Sequence, residues 1–148
     1  MERQYYLDLA AGGLRMPIGA DLVLHEREDP GRCRLDGACL GDVLVESARR
    51  FRTPLAFPLM DLNVEKEWLL TGLGIPAALI DSYHFHEIPV AAKGDELQGM
   101  LDGEPTPRIA ASLEALRVVA REPDLIPVGM CIGPFSLMTK LLSDPISA

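Results

Sequence analysis

Basic residues are in deficit in this chain: Lys and Arg total 14 against 22 Asp and Glu, a formal charge of −8 with no basic block. Such a surface repels polyanions and anionic lipid on average, so neither nucleic acid nor membrane is expected as a partner. No apolar stretch reaches the roughly 18 residues of a membrane-spanning helix. The start, Met-Glu-Arg-Gln-Tyr-Tyr, lacks the basic-then-apolar pattern of a secretory signal, and the chain reads as cytoplasmic. Cysteine is sparse and odd in number. Cys33, Cys39 and Cys131 form no C-x-x-C; Cys33 and Cys39, six apart in a polar loop and helix start, have a poor zinc spacing, and all three read as reduced thiols. Glycine-rich phosphate loops of the G-x-G-x-x-G or G-x-x-x-x-G-K-[ST] type are absent, which removes sequence support for a nucleotide cofactor. No repeat or low-complexity segment occurs.

What is present is 48% apolar residues, enough to fill the core of one domain at 148 residues. Residues near Tyr5 to Leu14 read as a short helix closed by Gly12-Gly13. Met16 to Leu24 reads as a first strand. Leu40, Val43, Leu44, Ala48 and Phe51 recur at helical spacing and predict an amphipathic helix from about Cys39 to Arg50. Thr53 to Leu62 is a second apolar run, which Pro54 and Pro58 must make short or irregular because they lack ladder donors. Asn63-Val-Glu-Lys-Glu opens a helix that stops near Gly72 or Gly74. Ile75 to Val90 alternates in the manner of a small hairpin. Ile109, Leu113, Leu116 and Val119 mark a helix over Thr106 to Arg121, which leads into a third strand from Leu125. That strand ends at Gly133-Pro134, with Ser136 as the expected N-cap of a last helix. Three strands alternating with helices predict an α/β fold with a parallel sheet, about three βα units with a hairpin insertion.

Phe57-Pro-Leu-Met-Asp-Leu-Asn-Val-Glu-Lys-Glu67 with Gly72, Thr106-Pro-Arg-Ile109, and Pro127-Val-Gly-Met-Cys-Ile-Gly-Pro-Phe-Ser-Leu137 together resemble segments of the uroporphyrinogen decarboxylase superfamily. The likeness is nearer to its cobalamin-dependent methyltransferases, which move a methyl group from a corrinoid to a thiol such as coenzyme M. The resemblance implies a (β/α)8 TIM barrel with its site at the carboxyl ends of the strands, of which this chain would be the amino-terminal portion. It also implies zinc and a corrinoid as cofactors of the full-length family. The zinc of that branch is bound through a His-x-Cys pair and a distant Cys late in the barrel, ligands that do not map onto residues 1–148. In the decarboxylases an aspartate at the end of the second strand contacts the pyrrole nitrogens; Asp61 matches it. Their Arg-Gln-Ala-Gly-Arg-Tyr motif, which binds substrate carboxylates, is replaced here by Asp21-Leu-Val-Leu-His-Glu-Arg27. That departure disfavours uroporphyrinogen, whose carboxylates need cationic partners.

Asp61 closes an apolar run, where a carboxylate either faces a cleft or caps the next helix with Asn63. His25, at the end of the expected first strand, has an ordinary pKa suited to acid or base work; the competing reading is a surface histidine. Arg108, just before the long helix, is placed to bind an anionic substrate group; the competing reading is a surface arginine at a helix N-terminus, unfavourable to the dipole. Gly133 and Pro134 are expected to turn the chain at the rim, with Phe135 as a wall of the cleft. Cys131 reads as an inert buried thiol. His84 and His86 would face one way on a strand and could share a metal, but no third ligand is evident, and no metal site is assigned. The expected ligand is a corrinoid or tetrapyrrole-type small molecule. The alternative to an enzyme is a barrel portion that acts by association, with a second copy or a complementary barrel half covering its exposed sheet edge.

Overall fold

The computed structural model describes residues 2–14, 19–86, 98–100, 103–144 and 146. It is mixed helical with a small parallel sheet of two strands. Its helices include α1 (Arg3–Ala11), α2 (Ala20–His25), α3 (Pro30–Cys33), α4 (Gly37–Arg50), α5 (Val64–Gly72), α6 (Pro107–Val119) and α7 (Pro134–Leu141); among the described residues the strands are β1 (Leu55–Ala56) and β2 (Ile126–Pro127). Two compact units divide the chain, residues 1–60 with 111–129 and residues 61–110 with 130–148.

The first unit is organised by α4. Its buried positions Leu40, Val43, Leu44, Ser47 and Ala48 follow the three-and-four spacing that puts side chains on one helix face. Asp36 starts the helix by accepting hydrogen bonds from the Ala38 and Cys39 amides, both at 3.0 Å, and Arg49 and Arg50 complement the dipole at its end. Val23 and Leu24 of α2, Cys33, Ala56, Ala115, Val119 and Leu125 complete the core. Each fully buried Leu or Val contributes about 2 kcal/mol. A Cys33–Cys39 disulfide ties the end of α3 to the first turn of α4, correcting the reading of these residues as reduced thiols. The short polar loop between them brings both β-carbons within bridging reach, with the Cα atoms 5.3 Å apart.

Helix α6 buries a different face from the one its large residues predict. Ala111, Ala115 and Val119 are inside, whereas Leu113 is 46% exposed. The reason lies on α4: a Cβ added at Gly41 would stand 2.5 Å from the Val118 side chain, and one at Gly37 would stand 3.1 Å from the Ala111 carbonyl. Small residues at i and i+4 on both helices permit this close approach, and bulky ones would prevent it.

β1 and β2 pair in parallel, Leu55 beside Ile126 and Ala56 beside Pro127, through Ile126 N–H to the Pro54 carbonyl (2.8 Å) and Val128 N–H to the Ala56 carbonyl (3.1 Å). Prolines at both ends of this ladder keep it short. The expected first strand is corrected: its described part forms α2, because Ala20, Val23 and Leu24 fall at i, i+3 and i+4 and bury together. Residues 16–18 of that expected strand lie outside the described residues.

In the second unit Leu70 and Ile80 are buried, and Lys66 beside them is only 3% exposed. Helix α5 ends at Gly72 and is closed by Leu73 and Gly74, whose φ of +78° allows Ile75 N–H to reach back to the Leu70 carbonyl. The expected hairpin is corrected over its described part: Pro76 leads into a 3-10 turn at Ala77–Leu79, and Phe85 forms a parallel bridge with Leu142. Residues 87–90 of that hairpin lie outside the described residues. Helix α7 begins at Pro134, with Gly133 in the N-cap position, so Ser136 lies inside the helix and does not cap it. Among the described residues no helix is long and apolar enough to cross a membrane.

Candidate functional site

Helices α5 and α6 bring three charged side chains of the second unit together. Asp61 stands two residues before Asn63, the residue that precedes α5, and its Oδ1 accepts a hydrogen bond from the Asn63 amide at 3.1 Å. This local Asx turn fixes the carboxyl group and leaves Oδ2 to turn away from the helix. Arg108, in the first turn of α6, donates from Nη2 to that Oδ2 and from Nη1 to Glu67 Oε2 at 2.6 Å. The three side chains are 20–23% exposed, so the cluster sits at the surface with one open side.

Pro107 precedes Arg108 at the start of α6, and Thr106 supports that start through its carbonyl, which accepts from the Ala110 amide at 2.9 Å. An arginine there is unfavourable to the helix dipole, and the two carboxylates offset that cost. Burial pushes the Glu67 carboxyl above its ordinary value, and the Asp81 carboxylate adds to the rise. Among the described residues the cluster carries one cation against two acids, a formal charge of −1 when all are ionised. Nη1 and Nη2 of Arg108 each serve one of these acids, and each carboxylate keeps lone pairs able to accept. Chemically the cluster suits N–H or O–H donors better than it suits anions.

A second contact from α5 positions the chain that leads into α7. Glu65 Oε1 accepts a hydrogen bond from the Ile132 amide at 2.8 Å, immediately before Gly133 and Pro134. Gly133 has an ordinary extended backbone, with φ −69° and ψ 152°, and open space where a Cβ would stand. Phe135 is 70% exposed. Helix α5 thus holds the loop before α7 with one glutamate and Arg108 with the other.

The structure brings Asp61 and Arg108 together: one Asp61 oxygen accepts from the Asn63 amide in the turn before α5 and the other from Arg108, and α5 starts without a side-chain cap bond. His25 belongs to the first unit. It is exposed at the end of α2, where Nδ1 lies 2.6 Å from the Asp21 carbonyl and must donate to it. Cys131 is a free exposed thiol, which corrects its reading as a buried one. Glu67 is the residue that sequence reasoning missed. It was visible only as one of two acids opening α5, and its link to Arg108 joins positions 41 residues apart. Comparison with protein-family models, with curated proteins and with solved structures finds no match.

Proposed function

We propose that the chain is the amino-terminal portion of a uroporphyrinogen decarboxylase-like (β/α)8 barrel and that its Asp61 cluster binds a corrinoid in methyl transfer to a thiol. The single observation that carries this reading is the Asp61 carboxylate, held by the Asn63 amide and Arg108 with lone pairs left to accept. A corrinoid presents neutral carboxamide N–H donors around its ring, which such a carboxylate can accept from. The parallel pairing of β1 and β2 across a helical connection supports the barrel portion of the reading. In chain order Asp61 follows the carboxyl end of β1 and Gly133 to Phe135 follow that of β2, the positions from which barrel enzymes draw their site residues.

In this reading Asp61 orients the ligand, Arg108 holds Asp61 in place, and Phe135 offers an apolar face to the ring. His25 belongs to the first unit, where its Nδ1 donates to the Asp21 carbonyl, and is given no step at this cluster. The family's zinc site, a His-x-Cys pair with a distant Cys, does not fit the residues present. Cys33 and Cys39 are joined in a disulfide, and among the described residues no group of three or more His, Cys, Asp or Glu is placed to hold a metal. No step is drawn through the zinc-bound thiolate of the family.

A tetrapyrrole decarboxylase is the alternative within the same fold, with Asp61 accepting from pyrrole N–H groups. It is disfavoured because Arg108 already serves two carboxylates and the chain carries a net charge of −8. Titration of the full chain with methylcobalamin and, separately, with uroporphyrin, followed by absorbance, tests the choice. The expected result is saturable methylcobalamin binding, weakened about tenfold by Asp61→Asn, the loss of one charged hydrogen bond. Tighter binding of uroporphyrin would move the assignment to the decarboxylase, and binding of neither would remove the ligand reading.

A further inference from the structure

The segment Tyr83-His84-Phe85-His86 is held extended by the end of α7. Phe85 N–H donates to the Leu141 carbonyl at 2.7 Å, and the Phe85 carbonyl accepts from the Ser143 amide at 3.0 Å. In an extended segment alternate side chains share a side. The aromatic rings of Tyr83 and Phe85 meet edge to face at 5.1 Å, which places the odd positions together. His84 and His86 are both exposed and line one recess with Ser82, Thr139, Leu142 and Ser143.

The tautomer of His84 follows from its partner. Its Nδ1 lies 2.9 Å from the Ser82 carbonyl oxygen. A carbonyl oxygen only accepts, so Nδ1 carries the proton and Nε2 is left with its lone pair. This is the arrangement by which metal-binding histidines are oriented: one ring nitrogen donates to a carbonyl and the other faces the ion.

We propose that His84 and His86 form a two-imidazole site for a divalent transition ion of the Cu2+, Ni2+ or Zn2+ class. Imidazole nitrogen suits these ions, and affinity should be highest for Cu2+. Two protein ligands leave the remaining positions to water, whose hydrogen bonds the hydroxyl oxygens of Ser82, Thr139 and Ser143 can accept. Each of these hydroxyls donates to a backbone carbonyl, which leaves its lone pairs available. The bridge between Phe85 and Leu142 joins two segments remote in sequence, so an ion bound to the histidines also steadies the contact between residues 82–86 and the end of α7.

The site lies apart from the Asp61 cluster in sequence and in chemistry, so its test is independent of the corrinoid reading. After removal of metal with chelator, the full chain is titrated with Cu2+ and Zn2+ by calorimetry, and the Cu2+ complex is examined by electron paramagnetic resonance. The expected result is one ion per chain with nitrogen hyperfine structure from two imidazoles. His84→Ala and His86→Ala should each weaken binding about tenfold or more, and His25→Asn and Cys131→Ser should leave it unchanged. Both histidines are exposed, and circular dichroism verifies that the variants fold. Unchanged binding in His84→Ala and His86→Ala, loss of binding in His25→Asn or Cys131→Ser, or failure of the parent chain to bind either ion would overturn the proposal.

Discussion

At the scale of single residues, the second unit places charge where water is scarce and compensates it unequally. Arg108 has two carboxylate partners, whereas Lys66, more deeply buried, donates to the Asp81 carbonyl at 3.0 Å. Burial holds the Lys66 amine below its ordinary pKa of 10.5; the Asp81 carboxylate opposes that shift and Lys140 reinforces it. Because the folded value is the lower one, the unfolded chain binds more protons as pH rises through the window between the folded value and 10.5. Stability therefore increases with pH there. Lys66→Met removes the charge and keeps much of the volume. It should stabilise the protein by about 1 kcal/mol at pH 7, as replacing other buried charges by apolar groups does, and the gain should shrink toward pH 10. Urea midpoints at the two pH values check this. A lower midpoint at pH 7, or a gain independent of pH, would show that the Asp81 contact outweighs the cost of burial.

At the scale of elements, helix ends reveal both what the sequence encodes openly and what it hides. Three helices close with the same pair of backbone bonds around a residue of positive φ. Gly13 serves α1, Gly74 serves α5 and Arg52, at φ +55°, serves α4, where Thr53 N–H reaches the Ala48 carbonyl at 3.0 Å. Where glycine fills the position, the helix end was legible, as at Gly12-Gly13 and Gly74; where arginine fills it, the geometry was not visible. Arg52 is exposed, so Arg52→Gly should relieve the left-handed strain and raise stability by about 1 kcal/mol, measured as an increase in thermal midpoint. A decrease would mean that the side chain contributes more than its backbone costs. The same contrast runs through the rest of the fold. Helix α4 was legible because its large residues are its buried ones. The face of α6 was not, because Ala111 and Ala115 carry no strong hydrophobic signal and owe their burial to Gly37 and Gly41 on another element. Helix α2 was hidden within an apolar run that fits strand and helix equally at that length. The disulfide escaped the count of three cysteines because pairing depends on the turn between α3 and α4 and not on number. At the site, Asp61 and Arg108 were legible one by one. Their pairing with Glu67 was not, since nothing local ties residue 67 to residue 108.

At the scale of the whole molecule, two properties act against each other. Phe135 is 70% exposed, Met130 is 45% exposed, and α7 has no buried residue. An aromatic ring left in water on an amphipathic helix favours contact with another apolar surface, and a second copy of the chain always supplies one. The net charge of −8 opposes that contact, because every copy repels every other. Salt separates the two contributions. Its Debye length falls from about 30 Å at 0.01 M to about 10 Å at 0.1 M, so repulsion between copies is screened while the apolar gain is kept. Sedimentation equilibrium should therefore give a mass near 16.2 kDa at low salt and a concentration-dependent rise above it at higher salt. Phe135→Ser should return the high-salt mass to that of the single chain without changing the circular dichroism spectrum. If the parent chain stays at 16.2 kDa in both salts, charge is not what holds the copies apart and Phe135 is not an association surface. If Phe135→Ser associates as the parent does, the contact lies on another face of the molecule.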